Sequence, residues 1–108
     1  LSCFCNEKER SPKQLFAGVQ ARTFWADKML IAMVELDANA VVPAHSHPHE
    51  QAGVVLAGEF EMTIAQETKK MKPGNAYLIP GNVVHSVRVF GKPVKVMDIF
   101  SPVREEYK

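Results

Sequence analysis

The chain has 108 residues, 46% of them hydrophobic, and a formal net charge of +1 at neutral pH. That length holds one domain with a genuine core and leaves no room for two. The balanced charge excludes a nucleic-acid footprint and a polybasic membrane anchor, and no apolar run approaches the roughly 20 residues of a spanning helix.

Residues 1–14 are charged and lack periodicity, with Asn6-Glu7-Lys8-Glu9-Arg10 followed by Ser11-Pro12-Lys13. They read as an N-terminal arm, and residues 15–108 as the folded domain. Cys3 and Cys5 are the only cysteines. A disulfide between them is strained and closes almost no loop, so they read as two reduced thiols, with soft-metal binding as the alternative. A cytoplasmic address follows from that usage. No secretory leader is visible, and a chain opening on Leu1 reads as a processed or trimmed product.

From Leu15 onward, short apolar runs alternate with turn residues. Thr23–Asp27 and Met29–Asp37 read as strands, with a turn at Asp37-Ala38-Asn39-Ala40. Gln51–Ala57 is the next strand, and Gly58 a tight turn. Glu59–Ala65 alternates cleanly, which turns Phe60, Met62 and Ile64 inward and Glu59, Glu61 and Thr63 outward. A hairpin at Gln66-Glu67 leads into Thr68–Lys72, and Pro73-Gly74 makes another turn. Ala76–Ile79, Val83–Val89 and Val94–Phe100 complete the set. No segment sustains a helical apolar period. Many short strands about ten residues apart predict an all-β sandwich or barrel. Its exposed apolar faces predict a homodimer.

Three of the four histidines fall in His45-Ser46-His47-Pro48-His49, and the fourth is His85. Imidazole is the commonest protein ligand for transition metals, and residues two apart on a strand share a face. His45 and His47 are therefore expected to grip an ion from one strand while His85 closes the site from another. Positions 45, 47, 49 and 51 then share that face. Pro48 disturbs the alternation, which puts His49 in the pocket wall or rim rather than on the ion.

The segments His45-x-His47-x3-Gln51-x6-Gly58 and Gly74-x5-Pro80-x4-His85 resemble the two signature motifs of the cupin superfamily, small β-barrels of the jelly-roll type. The usual motifs have Glu where this chain has Gln51, and Gly where it has Asn82. Three imidazoles and a neutral amide leave a divalent ion its full charge, which favours an anionic ligand. Donor softness leaves Zn, Ni, Mn, Fe and Cu open and argues against Ca and Mg.

Asp98 interrupts the apolar last strand. It is either an acid/base group with its pKa raised by burial or a satisfied structural Asp bonded to backbone or Arg104. Arg104 itself either faces a ligand or pairs with Glu105 or Glu106 on the surface. Trp25 and Tyr77 suit a barrel mouth, a core or an interface, and carry no assignment.

His-Ser-His-Pro-His-Glu-Gln, taken with Asp-Ile-Phe-Ser-Pro-Val-Arg-Glu-Glu-Tyr, resembles the KdgF family of pectin and alginate degradation. Those are single-domain cupins acting on 4,5-unsaturated uronates. The resemblance implies a metal held by His45, His47, Gln51 and His85, with Asp98, Phe100 and Arg104 as catalytic and substrate-contacting residues; His49, from its expected place in the pocket wall or rim, is read as substrate-binding. It implies a metal-dependent, isomerase-type ring opening of a small anionic sugar acid to a linear 5-keto-4-deoxyuronate. Two alternatives share the barrel: a metal-dependent dioxygenase, and a non-catalytic cupin that binds a sugar acid for a partner protein.

Overall fold

A computed structural model describes residues 3–108, so the expectation about Leu1 lies outside the described residues. The strands are β1 (Lys13–Phe16), β2 (Val19–Trp25), β3 (Leu30–Leu36), β4 (Val41–His45), β5 (Glu50–Ala57), β6 (Phe60–Ile64), β7 (Glu67–Met71), β8 (Ala76–Ile79), β9 (His85–Val89) and β10 (Val94–Ser101). Short 3-10 turns at Glu7–Glu9 and Glu105–Tyr107 flank them. No helix among the described residues is long and apolar enough to cross a membrane.

All pairings are antiparallel, in a six-stranded sheet ordered β1-β2-β3-β10-β5-β8 and a four-stranded sheet ordered β4-β9-β6-β7. The sheets do not close into one hydrogen-bonded ring, so the expected jelly-roll barrel is realised as two open, facing sheets. β2, β3 and β10 alternate buried and half-buried residues along their length, the period-2 signature of one packed face. Phe60 and Met62 are buried and Ile64 packs against the core, as the alternation of β6 predicts. Phe60, Leu30, Ile79 and Val55 are the largest sealed side chains. Truncating Phe60 to Ala costs about 3–5 kcal/mol, through lost burial and the cavity left behind.

The turns follow their residue chemistry. Gly58 has φ +83, and a Cβ there meets the Pro93 carbonyl and the backbone and side chain of Val94. Asn82 has φ +65. Asparagine tolerates that left-handed conformation, which explains how it replaces the usual motif glycine.

Two strands have no counterpart in the sequence expectations. β1 carries exposed residues followed by half-buried ones, and β4 is interrupted by Pro43, so neither alternates. The larger correction concerns positions 45–51, which do not share one strand face. His45 ends β4 in the four-stranded sheet, residues 46–49 form a connection, and Gln51 lies on β5 in the six-stranded sheet. The chain changes sheets here, and Pro48, which lacks a backbone N–H, sits within the crossing.

The outer faces of the two sheets differ in chemistry. On the six-stranded sheet, Phe24, Ile31, Ile99, Ala52 and Leu78 form one row across five strands. Arg22, Met33, Met97, Val54 and Ala76 form the row beside it. The matching rows on the four-stranded sheet are Val41-Arg88-Glu61-Lys70 and Ser86-Thr63-Thr68. The six-stranded sheet is apolar outside along these two rows apart from Arg22, with Gln20, Glu35 and Lys95 in the row beyond, whereas the four-stranded sheet is mostly polar.

Candidate metal centre

The cross-strand register sets two inward rows on the six-stranded sheet. Thr23, Ala32, Asp98, Gly53 and Tyr77 form one, and Trp25, Leu30, Phe100, Gln51 and Ile79 the next. Asp98 and Phe100 therefore point into the fold from β10, with Gln51 beside Phe100 on β5. Opposite them, His45 at the end of β4 pairs with His85 at the start of β9. His47 stands in the connection between the two sheets. Two sheets and one crossover thus deliver these six side chains to one end of the interior.

Their hydrogen bonds set the tautomers. The Nδ1 of His45 lies 2.8 Å from the Pro43 carbonyl, that of His47 3.0 Å from the His49 carbonyl, and that of His85 2.9 Å from the Val83 carbonyl. A carbonyl only accepts, so each Nδ1 carries the proton and each Nε2 keeps its lone pair. One ring nitrogen from each histidine lies within 4.8 Å of the others. Burial, reinforced by the Arg104 and His85 charges, pushes the His47 pKa down to about 4. Burial also lowers that of His85, with the His45 and Arg104 charges adding to it. Both are neutral at physiological pH, the state a metal ligand requires.

Gln51 completes the donor set. Its Oε1 lies 3.1 Å from His47 Nε2, and its side chain hydrogen-bonds Asp98. With the amide N–H directed to the carboxylate, the amide oxygen faces the imidazole lone pair. Two acceptors pointing at each other repel unless a cation lies between them. Three imidazoles and an amide oxygen converging without an intervening donor fit a transition metal bound by nitrogen and neutral oxygen.

Asp98 is buried, and its pKa is raised to about 6 by that burial, with the Tyr77 and Gln51 hydrogen bonds and the Arg104 charge acting the other way. Its partners are therefore Tyr77 and Gln51, not the backbone or a direct ion pair with Arg104. Arg104 pairs with Glu106, as one of its sequence readings has it, and also lines the cavity. Its Nε donates to Glu106 at 2.6 Å, yet the side chain is only 11% exposed, with the guanidinium 4.0 Å from the Tyr107 ring and 5.2 Å from that of Phe100. Phe100 is buried, 5.7 Å from the His47 ring and 5.4 Å from that of Tyr107. The tail is fastened in place because Thr23 Oγ1 donates to the Tyr107 carbonyl, and Lys13 to the carbonyls of Glu106 and Lys108.

A cavity between the sheets is lined at its polar end by His45, Gln51, Tyr77, His85, Asp98 and Arg104. His49 is not among its lining residues. It is half-buried with its ring 5.7 Å from that of His47, and its own Nδ1 is buried without a partner. Its backbone carbonyl is what orients His47. Trp25 lies outside the cavity under Arg10 and Lys108. Tyr107 and Gly53 are the site features that sequence reasoning missed. Tyr77 was open to a barrel mouth, a core or an interface; it is buried and lines the cavity, and its partner is set by register across three strands.

A family profile described as a cupin domain matches residues 32–100. The pectin degradation protein KdgF of Dickeya dadantii (strain 3937) is 32% identical over 84 residues, covering 77% of this chain and 76% of that protein. The H2HPP isomerase of Bacillus subtilis is 30% identical over 94 residues, covering 85% of this chain and 40% of that protein. The solved structure of KdgF from Halomonas sp. superimposes with a TM-score of 0.91 at 26% identity, covering 100% of both chains.

Proposed function

The chain belongs to the cupin domain family and within it to the relatives of KdgF, and from that premise we propose that it opens the ring of 4,5-unsaturated uronate monosaccharides. The product is the linear 5-keto-4-deoxyuronate. The observation that carries this reading is the buried Asp98 carboxyl lining one cavity with Arg104 and facing His45 and His85, which converge with His47 from the opposite sheet and the crossover.

The reaction is an isomerisation. The substrate is a cyclic hemiacetal whose ring oxygen is also an enol-ether oxygen. Loss of the anomeric hydroxyl proton expels the ring oxygen from C1, leaving an aldehyde and an enolate at C5. Protonation at C4 then gives the ketone. One proton leaves O1 and one arrives at C4, so a single carboxyl that carries it ends each turnover as it began. Asp98 is that carboxyl, and a pKa near 6 lets it accept and donate near neutrality. Arg104 neutralises and orients the substrate carboxylate with the guanidinium donors left beyond its bonds to Glu106 and the Tyr107 side chain. Phe100 presents an apolar ring to the sugar face, while His49, outside the cavity lining, acts on the site through the carbonyl that orients His47.

His45, His47, His85 and Gln51 are the side chains that hold one divalent transition metal: Zn, Ni, Mn, Fe or Cu. When bound, it supplies Lewis-acid stabilisation of negative charge on substrate oxygens. No redox step is needed, and an isomerase among the relatives suits that class of reaction.

The protein acts as a homodimer paired through the outer face of the six-stranded sheet. One apolar row runs there across five strands and a second across four, whereas the opposite sheet carries Arg88, Glu61 and Lys70, and contiguous apolar patches on monomers are small. A cytoplasmic setting accords with the free thiols of Cys3 and Cys5.

Proton NMR of the purified, metal-loaded protein with an unsaturated uronate tests the activity. Loss of the vinylic C4 proton together with appearance of the open-chain ketone supports it. An unchanged spectrum against the uncatalysed control removes it.

A further inference from the structure

β8 is separated from β10 by β5, so the backbones of Tyr77 and Asp98 stand two strand spacings apart, roughly 9–10 Å. Side chains in one inward row do not ordinarily meet across an intervening residue, because its Cβ stands between them. Here the intervening residue is Gly53, paired to Asp98 on one side and to Tyr77 on the other. The Tyr77 ring lies over the Gly53 Cα, and its hydroxyl donates to Asp98 Oδ1. A Cβ built on residue 53 falls inside the van der Waals radii of both the Tyr77 ring and Asp98 Oδ1. The glycine is thus the opening through which the two polar groups join.

Chemistry at this position is specific as well. β8 turns Tyr77 and Ile79 inward, and both are buried. A phenylalanine fills nearly the same volume, so the hydroxyl is the one atom whose presence packing does not explain. Burial and the Asp98 charge raise the phenol pKa well above its ordinary value, so it remains a hydrogen-bond donor wherever the enzyme works. With the Gln51 amide also bonded to Asp98, the carboxyl is held from two strands and is not free to turn about its own bond.

We propose that Tyr77 is a positioning residue, whose hydroxyl reaches across Gly53 to fix the plane of the Asp98 carboxyl for proton transfer between the anomeric oxygen and C4. This inference rests on the uronate reading of the site. It assigns a role to two residues that bind neither metal nor substrate.

Crystal structures and kinetics of metal-loaded wild type, Tyr77→Phe and Gly53→Ala test it. In Tyr77→Phe the Asp98 carboxyl plane rotates away from its wild-type orientation. kcat falls about tenfold, as loss of one aligning hydrogen bond predicts, with KM within twofold and metal content unchanged. In deuterium oxide, deuterium delivered to C4 loses its stereochemical preference, a readout that a merely structural residue does not move. Gly53→Ala, where it folds, reproduces the kinetic pattern by displacing both partners. An unrotated carboxyl plane in Tyr77→Phe overturns the inference whether or not any activity is found. Unchanged kcat beside an active wild type overturns it while leaving the uronate reading intact. A fall in kcat matched by loss of metal overturns it in favour of a structural role. Wild-type protein that fails to accelerate the reaction removes the uronate reading, and with it the catalytic part of this one.

Discussion

His47 faces Gln51 with its Nε2 3.1 Å from the amide oxygen, while its Nδ1 is already committed to the His49 carbonyl. The same glutamine hydrogen-bonds Asp98, so one side chain joins the histidine cluster to the buried carboxyl.

Replacing Gln51 with Glu places a full negative charge on that link. Metal affinity, measured by competition with a chromophoric chelator, is expected to stay equal or to rise. The complex then carries one positive charge fewer, and Asp98 gains a carboxylate neighbour. KM for the anionic uronate is expected to rise about tenfold or more, the cost of roughly 1.4 kcal/mol in a partly desolvated site. Unchanged or tighter substrate binding contradicts the role given to the neutral amide.

Asp98→Asn is expected to lower kcat by about 10²–10⁴, the usual span for a general acid–base group, with metal content unchanged. The same substitution changes the acid stability of the metal-free protein. Asp98 has a folded pKa raised to about 6, so its burial is tolerated at low pH and becomes costly as pH rises through that value. His47 runs the opposite way. With its folded pKa lowered to about 4, stability is full above the ordinary histidine value and is lost as pH falls toward 4. The two slopes oppose each other between about pH 6 and 4. Removing the carboxylate leaves the histidine slope alone. The metal-free Asn variant should therefore be more stable than wild type near pH 7, by an amount on the order of 3 kcal/mol at most, and should lose that advantage steeply on acidification. Denaturant melts at several pH values check this, and parallel curves for the two proteins contradict it.

Arg104→Lys keeps the charge and discards the planar fork. Its wild-type guanidinium lies between the Phe100 and Tyr107 rings, a position an ammonium does not fill in the same way. Steady-state kinetics are expected to show KM raised about tenfold with kcat changed less. An unaltered KM returns Arg104 to a purely structural pairing with Glu106.

On the outer face of the six-stranded sheet, Leu78 is 76% exposed, so Leu78→Glu costs the isolated fold little. Sedimentation velocity is expected to find this variant monomeric where wild type is dimeric. Val41→Glu on the opposite sheet, at a position 56% exposed, should leave the dimer intact. Dissociation by Val41→Glu alone moves the interface to the other sheet.

Much of this was legible in the residues, and the gaps have physical causes. The alternation of Phe60, Met62 and Ile64 reported a packed face because period 2 is local. The histidine cluster with His85 was legible because the motif spacing carries the pairing of β4 with β9 implicitly. The strand through positions 45–51 was misread because periodicity does not register a chain crossing from one sheet to another. Tyr77 and Asp98 lie 21 residues apart, and only the register through Gly53 makes them neighbours. Arg104 pairs with Glu106 and still stacks within the cavity wall, because its side chain is long enough to do both, so the surface pairing does not take it out of the site.

The most direct test is the initial rate at which the conjugated alkene absorbance of an unsaturated uronate decays with wild-type protein, followed before and after metal removal by a chelator and again after metal is restored. Acceleration over the uncatalysed rate that is lost on chelation and regained on reloading is the predicted result. No acceleration by protein whose metal content is verified contradicts the account.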